Sequence, residues 1–308
     1  MSGNRDDRAR RRSPYPISGW DLGRLRLHAP ARPLVMGILN VTPDSFYPGS
    51  RRPEPDAAVD QALAMIAAGA ELLDMGAEST RPGAEPVPDA QEQDRLLPVL
   101  EGLRGQTDVP LSVDTRRAST AGLAIEAGAD VINDIGAGRD PGMLPLLGRS
   151  RAGVVLMHMQ GEPDSMQRDP RYDDPVAEVR DWLEDRVTAA VAAGVDENRV
   201  LVDPGLGFGK LLPHNLALLA DLRRVAAGRR LLVGASRKSF VGAITGAGVD
   251  DRLPGSLAAL AAAHAAGAMV VRVHDVAASV QFLDVLAAIA EAGDDEADES
   301  VVEQPPGP

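Results

Sequence analysis

The sequence predicts one α/β domain with the fold of a (β/α)8 TIM barrel, on the basis of three observations. Eight short apolar segments rich in β-branched residues alternate with longer Ala- and Leu-rich segments of helical period. Four helical segments end in a glycine just before the next apolar segment, which is typical of a helix that passes into a strand. Without its charged ends the chain has about 260 residues, a usual size for such a barrel. An open, doubly wound sheet is the alternative.

The predicted strands are continuous apolar runs because strands of a parallel sheet are covered on both faces. In chain order they are residues 34–39, 72–75, 111–113, 131–133, 153–157, 200–202, 231–234 and 269–273.

Helices are predicted between these strands, the clearest at residues 56–68, 118–127, 175–193, 215–227 and 257–266. Gly69, Gly128, Gly194 and Gly267 follow four helical segments and permit the left-handed conformation that ends a helix. Residues 17–32 precede the first strand and are predicted to form a short hairpin that closes the bottom of the barrel.

The distribution of charge divides the chain into three parts. Residues 1–33 contain eight Arg against three Asp, whereas residues 291–308 contain seven acidic residues and no basic one. The arginines at 10–12 are followed by Ser13 and Pro14 instead of an apolar run, so no signal peptide is predicted. We predict a disordered Arg-rich segment at 1–16, a barrel domain at 17–290 and a disordered acidic tail at 291–308.

The composition excludes several classes of function. The chain has no Cys, which excludes a disulfide scaffold, a thiolate metal site and a cysteine nucleophile, and favours a cytoplasmic location. A net charge of −13 disfavours nucleic-acid and membrane partners. No apolar run is long enough to span a membrane. An anionic substrate would therefore need a local positive site.

Polar side chains follow every predicted strand, where barrels of this class carry their reacting groups. Carboxylate, amide and ammonium groups, which can pair with the donors and acceptors of a ligand, are among them. Such types end four strands, at Asp114, Asn133, Asp203 and Lys238. For each acid, capping of a following helix is the structural alternative, which is weaker for Asp203 because Pro204 and Gly205 follow it.

Four longer strings resemble the dihydropteroate synthase family of pterin-binding enzymes, and the resemblance extends from about residue 34 to residue 276. The strings are residues 36–46, 78–83, 203–210 and 236–240. The resemblance implies a transferase of folate biosynthesis that joins hydroxymethyl-dihydropterin pyrophosphate to p-aminobenzoate, giving dihydropteroate and pyrophosphate. It also implies Mg²⁺ as a cofactor and a homodimer formed through the barrel helices.

The resemblance also implies three subsites. The pterin would be held by Asp114, Asn133, Met157, Asp203, Phe208, Lys238 and Arg272. The p-aminobenzoate would be held by Thr80, Arg81, Pro82, Ser236 and Lys238. The pyrophosphate would be held by Asn40, Thr80, Arg272 and His274, with Asn40 as the Mg²⁺ ligand and Asp44 as a further candidate. The catalytic residues would be Asp114, Lys238 and Arg272, which stabilise charge in a reaction that requires no general base.

Two features of the loops qualify this resemblance. Tyr47, Pro48, Gly49 and Ser50 follow Phe46 where the family usually has a Ser-Asp-Gly-Gly-like run, which leaves open a paralogue that binds pterin or assembles without turnover. The second loop has no insertion near residues 81–82, so we expect the site to admit sulfonamides, which mimic aminobenzoate.

Two further classes are alternatives. Methyltetrahydrofolate-dependent methyltransferases share a pterin-binding barrel, but they do not need the segments at 79–82 and 236–239 that the resemblance assigns to aminobenzoate. An aldolase that forms a Schiff base on Lys238 is chemically conceivable.

Overall fold

The computed structural model describes residues 19–28, 31–42, 54–78, 87–163 and 165–299. Its ten strands are β1 (Trp20–Asp21), β2 (Arg26–Leu27), β3 (Leu34–Asn40), β4 (Leu72–Gly76), β5 (Leu111–Asp114), β6 (Val131–Asp134), β7 (Gly153–Met157), β8 (Val200–Asp203), β9 (Leu232–Val233) and β10 (Val270–Val273).

Strands β3 to β10 form a closed parallel barrel. They are ordered β8-β7-β6-β5-β4-β3-β10-β9, and each neighbouring pair is parallel. A parallel bridge between Val202 and Leu231 joins the two ends of this order, and the Val202 amide donates to the Arg230 carbonyl at 2.9 Å. The predicted barrel is therefore confirmed, and the open-sheet alternative is wrong.

Helices connect the barrel strands. They are α1 (Glu54–Ala67), α2 (Asp89–Arg104), α3 (Ala118–Glu126), α4 (Met143–Arg149), α5 (Pro175–Ala192), α6 (Leu212–Ala220), α7 (Leu222–Ala226), α8 (Ser239–Thr245), α9 (Leu253–Ala265) and α10 (Val276–Glu299), with short 3-10 turns at Glu197–Arg199 and Val249–Asp251. The four predicted cap glycines have φ values between 75° and 100°, which confirms their role.

Three predicted elements differ from those in the structure. The helix predicted at 215–227 is two helices, because Asp221 adopts φ −135° and ψ 43°, outside the helical range, and no glycine or proline marks the break. Helix α9 begins at Leu253 instead of residue 257, with Pro254 in its first turn, where no intrahelical N–H is required. The strand predicted at 231–234 is reduced to the two residues of β9.

An antiparallel hairpin of β1 and β2 closes the bottom of the barrel, as predicted. Trp20 is fully buried there, and its indole Nε1 donates to the Arg199 carbonyl at 2.9 Å. It packs in what we call the floor cluster: Trp20, Leu22, Leu34, Met36, Leu72, Val131, Val155, Leu201, Leu232, Met269 and Val270. At Gly153 a Cβ atom would lie 2.5 Å from Leu22, so only glycine allows this close approach.

The two charged ends lie largely outside the described residues. Residues 1–18 and 300–308 are not described, so disorder of the predicted segment 1–16 and of residues 300–308 stays a prediction. Helix α10 continues to Glu299, past residue 291, where the acidic tail is predicted to begin. Within the described part of the chain, no helix combines the length and apolar character needed to cross a lipid bilayer.

Candidate active site

The barrel interior becomes polar above the floor cluster, and Asp74 on β4 lies at the centre of this region with no solvent exposure. Its Oδ1 accepts a hydrogen bond from the Ser112 hydroxyl at 2.5 Å. Its Oδ2 accepts from Asn133 Nδ2 at 3.0 Å and from Arg272 Nε at 2.5 Å. A buried carboxylate needs such donors to offset its lost hydration. We call Asp74, Ser112, Asp114, Asn133 and Arg272 the polar layer.

Asp74 is a site residue that the sequence analysis missed. The signal was present, because an acid between Leu73 and Met75 interrupts an otherwise apolar strand. A charged residue in such a run is rarely fully buried unless it is paired.

Arg272 on β10 joins two carboxylates. Its Nε donates to Asp74, and its Nη2 donates to Asp114 Oδ2 at 3.0 Å. Burial raises the pKa of Asp114 to about 7, Arg272 opposes this shift, and the nearby carboxylates of Asp74, Glu92 and Asp134 reinforce it. Asp114 therefore changes its charge near neutral pH and does so in direct contact with a guanidinium.

Asn133 lies beside Asp114, since β5 and β6 pair in register at these two residues. Its side chain is 3% exposed, and its Oδ1 is buried without a hydrogen-bond partner among the residues that the structure describes. An unpaired buried acceptor costs about 1–3 kcal/mol. A ligand that brings a donor to this oxygen would recover that energy.

Asp203 ends β8 and turns the chain into a glycine-rich loop. Its Oδ1 accepts from the Gly205 amide at 2.7 Å, so the side chain bonds a local turn and caps no helix. Burial raises the pKa of Asp203, against the opposing charges of Lys238, Arg272 and Lys210. Gly205 has φ +62°, and a Cβ there would lie 1.9 Å from a backbone oxygen, so this turn requires glycine.

Lys238 lies over an aromatic ring at the same end of the barrel. Its ammonium is 4.1 Å from the centroid of the Phe208 ring, in cation–π contact. Burial lowers the pKa of Lys238 to about 8. Phe208 packs with Ile135, Met157, Met159 and Met166, so the two predicted pterin walls, Met157 and Phe208, belong to one buried cluster.

Ser236 and His274 are in contact, although the sequence analysis placed them in different subsites. The His274 amide donates to Ser236 Oγ at 3.2 Å, and the ring Nδ1 lies 3.1 Å from the same hydroxyl. Burial lowers the pKa of His274 to about 4, so its ring is neutral at physiological pH. The adjoining Arg237 forms a bidentate pair with Asp275 at 2.6 and 2.9 Å, which fixes this corner of the site.

The sequence analysis assigned no role to Lys210, which has a structural role in the fold. It is 3% exposed, and its ammonium donates to the carbonyls of Phe208 at 2.9 Å and Gly205 at 3.0 Å. It also lies 2.9 Å from His158 Nδ1. Burial lowers the pKa of Lys210 to about 7 and that of His158 to about 2. Lys210 thus holds the turn that carries Asp203 and Phe208.

Asn40 is exposed at the carboxyl end of β3, where the resemblance placed a Mg²⁺ ligand. Among the described residues, no group of three or more His, Asp or Glu side chains could hold a metal ion. The predicted loop residues Asp44, Thr80, Arg81 and Pro82 lie outside the described chain.

Both ends of the second loop, residues 79–86, are held by arginines. Arg95 donates to the Ala77 carbonyl at 3.0 Å, before the loop. Arg117 donates to Glu78 at 2.6 Å and, beyond the loop, to the Val87 carbonyl at 2.6 Å. A depression beside Asp114 lies next to these two fixed ends of the loop and is lined in part by Glu78, Arg116 and Ile135.

Comparisons with known proteins agree with the geometry. The chain matches the pterin binding enzyme family over residues 36–274. It is 43% identical to the dihydropteroate synthase of Escherichia coli strain K12 over 263 residues, which are 85% of this chain and 93% of that protein.

Two solved structures are also similar. The dihydropteroate synthase of Xanthomonas albilineans with 4-aminobenzoic acid is 46% identical, with a TM-score of 0.84, over 89% of this chain and 98% of that one. The Burkholderia cenocepacia dihydropteroate synthase complexed with 7,8-dihydropteroate is 44% identical, with a TM-score of 0.82, over 90% and 98%. None of these three is a methyltransferase or an aldolase. The chain belongs to the pterin-binding enzymes, in the dihydropteroate synthase family.

Proposed function

We propose that the polar end of this barrel carries out dihydropteroate synthesis. The amine of p-aminobenzoate displaces pyrophosphate from the hydroxymethyl carbon of the pterin substrate. The observation that carries this assignment is the unpaired buried oxygen of Asn133, set among Asp114 and Asp203, which end two other strands, and Lys238, which lies beyond β9 and directly precedes helix α8. The family and the relatives that bind aminobenzoate or dihydropteroate support it.

Recognition of the pterin follows from the donors and acceptors that these residues offer. The amino-pyrimidine edge of a pterin presents several N–H donors and one carbonyl. The Asp203 carboxylate and the Asn133 oxygen accept from this edge, and the Lys238 ammonium donates to the carbonyl or an adjacent ring nitrogen. Met157 and Phe208 cover the faces of the ring.

The chemical step separates charge, and the polar layer stabilises both signs. The bond between the methylene carbon and the pyrophosphate oxygen breaks, and the electron pair leaves with pyrophosphate. The ionised Asp114 stabilises positive charge on the pterin, while Arg272, with His274 beside it, stabilises the leaving anion. The neutral aryl amine then forms the carbon–nitrogen bond and releases its proton to solvent, so no general base is needed.

Mg²⁺ is the proposed cofactor. Asn40 would hold the ion through its side-chain oxygen, together with substrate phosphates and water. When bound, it would supply positive charge next to the pyrophosphate leaving group.

The second substrate binds beside the pterin. Ser236 and the stem of Lys238 form the described part of this subsite, and Thr80, Arg81 and Pro82 are proposed to complete it from the second loop. Because sulfonamides share the aryl amine of aminobenzoate, they are expected to compete with it here.

We also propose a cytoplasmic homodimer, which rests on the family resemblance and on the absence of Cys. Light scattering coupled to size-exclusion chromatography measures the mass directly. A protein of 32.3 kDa in solution would contradict the dimer.

One assay tests the function. The full chain is incubated with the pterin pyrophosphate, p-aminobenzoate and Mg²⁺, and dihydropteroate and pyrophosphate are measured. Asp203→Ala and Lys238→Ala should abolish product, whereas Glu126→Gln, at an exposed position on α3, should behave as wild type. A wild-type protein that binds pterin without turnover would identify the inactive paralogue. Turnover that is unchanged under saturating sulfonamide would contradict the proposed inhibition.

A further inference from the structure

Asp74 connects the residues of the polar layer. Its two oxygens accept three hydrogen bonds, from Ser112, Asn133 and Arg272, at distances of 2.5 to 3.0 Å. It is fully buried, on a strand that Leu72 anchors in the floor cluster. Its influence on a substrate therefore passes through the groups that it bonds.

The Asn133 amide has only one orientation that satisfies Asp74. A carboxylate accepts hydrogen bonds and has no proton to give, so the amide must turn its nitrogen toward Asp74. Its oxygen is then left as the buried, unpartnered atom. If the amide rotated by 180°, two acceptors would meet at about 3.0 Å and Asn133 would present a donor instead.

We propose that Asp74 is a positioning residue that sets the substrate selectivity of the site by locking Asn133 as an acceptor. The ring edge facing Asn133 must then carry an N–H or NH₂ donor, and a ring with an oxygen at that position is rejected. This inference rests on the proposed function, because it identifies the donor edge with the amino-pyrimidine edge of the pterin.

The same carboxylate fixes Arg272. Asp74 accepts a hydrogen bond from Arg272 Nε, and Asp114 accepts one from Nη2. Nη1 has no hydrogen-bond partner among the described residues. The guanidinium is thus held at two points, and one nitrogen remains for a ligand. The orientation of Asn133 and that of Arg272 have a common origin in Asp74.

The test measures ring selectivity by calorimetry, with no turnover required. The probes are 2-amino-4-oxopteridine and 2,4-dioxopteridine, which differ by an exocyclic amino donor replaced with an oxygen acceptor. Wild type should prefer the amino compound about a hundredfold or more, because the dioxo compound opposes its oxygen to Asn133. In Asp74→Ala the Asn133 amide is free to rotate, and the preference should fall at least about tenfold.

Two control variants separate orientation from general damage. In Asp74→Asn the introduced amide oxygen can still accept from Asn133 and Arg272 while its nitrogen donates to the Ser112 hydroxyl, so the preference should be retained. Ser112→Ala removes one bond to Asp74 and leaves the Asn133 contact, so affinity should fall for both probes without a change in their ratio. Rotation of Asn133 in Asp74→Ala is excluded, and the inference overturned, if that variant keeps the wild-type ratio.

If Asp74→Ala does not fold, a second measurement tests the inference. Asp114 is faced by Arg272 and Lys238 and by the carboxylates of Asp74, Glu92 and Asp134. Removing the charge of Asp74 in Asp74→Asn should therefore lower the pKa of Asp114 and move the inflection of kcat/KM to lower pH. A fixed inflection would mean that Asp74 does not act as a charged acceptor in this network, which would overturn the inference, whereas a lowered plateau by itself reports general damage. A wild type that forms no dihydropteroate contradicts the proposed function instead.

Discussion

The lower and upper halves of the barrel interior are built from the same strands but differ in chemistry. Leu72 belongs to the floor cluster, and Asp74, two residues later on β4, belongs to the polar layer. Val131 and Asn133 stand in the same relation on β6. Residues two apart on a strand point to the same face and lie about 7 Å apart, so the change from apolar packing to charge occurs within one step.

This comparison indicates that stability and chemistry are separated along the barrel axis. The floor cluster buries Trp20 and branched aliphatic side chains, which favours folding. The polar layer buries ionisable groups whose desolvation opposes folding, and it is retained for its action on a ligand. Substitutions in the floor cluster should therefore lower the free energy of unfolding, and substitutions in the polar layer should lower catalytic activity.

The largest effect is expected at the floor. Trp20→Ala removes a fully buried indole and its hydrogen bond to Arg199, so the free energy of unfolding should fall by about 3–5 kcal/mol. Denaturant unfolding followed by circular dichroism measures this change. The kcat of the folded fraction should stay near wild type. A large loss of kcat in fully folded protein would contradict the separation of stability from chemistry.

The next effect is expected at the polar end. Asp203→Asn keeps the shape but replaces one acceptor with a donor, so kcat/KM for the pterin substrate should fall about a hundredfold, or roughly 3 kcal/mol. The free energy of unfolding should be unchanged or higher, because the variant removes a buried carboxylate whose pKa is raised by desolvation. Steady-state kinetics and unfolding curves on one preparation test both parts, and a destabilisation comparable to that of Trp20→Ala would contradict them.

The smallest effect is a dependence on pH. The pKa of Asp114 is raised to about 7, and the ionised form is the one that stabilises positive charge on the pterin. Since ionisation increases as pH rises through 7, kcat/KM should be about tenfold higher at pH 8 than at pH 6. Asp114→Asn should be less active and lack this inflection. A wild-type profile that falls with pH over the same range would exclude this role.

Several site residues were predictable because the residues next to them in sequence indicate their position in the fold. Asp114, Asn133 and Asp203 each end an apolar run, and parallel strands bring their carboxyl ends to one rim. The glycines that cap the helices were predictable for the same reason, since a positive φ is a local requirement.

Other features depend on partners that the local sequence does not identify. Asp74 owes its importance to partners that lie 38, 59 and 198 residues away in sequence. Lys210 ends the string 203–210 that resembles the family, and its role became visible only in the structure, where its ammonium bonds backbone carbonyls and stabilises the turn itself. The break at Asp221 lies inside a pattern that reads as one helix.

By itself, the sequence determined the barrel, the order of its elements, the family and the rim on which the chemistry lies, because periodicity, helix ends and strand-end residues are local properties. Only the tertiary structure decided which polar groups are bonded and which are left unpaired. Hydrogen bonding and desolvation depend on neighbours from other strands, as the three donors to Asp74 and the unpartnered oxygen of Asn133 demonstrate.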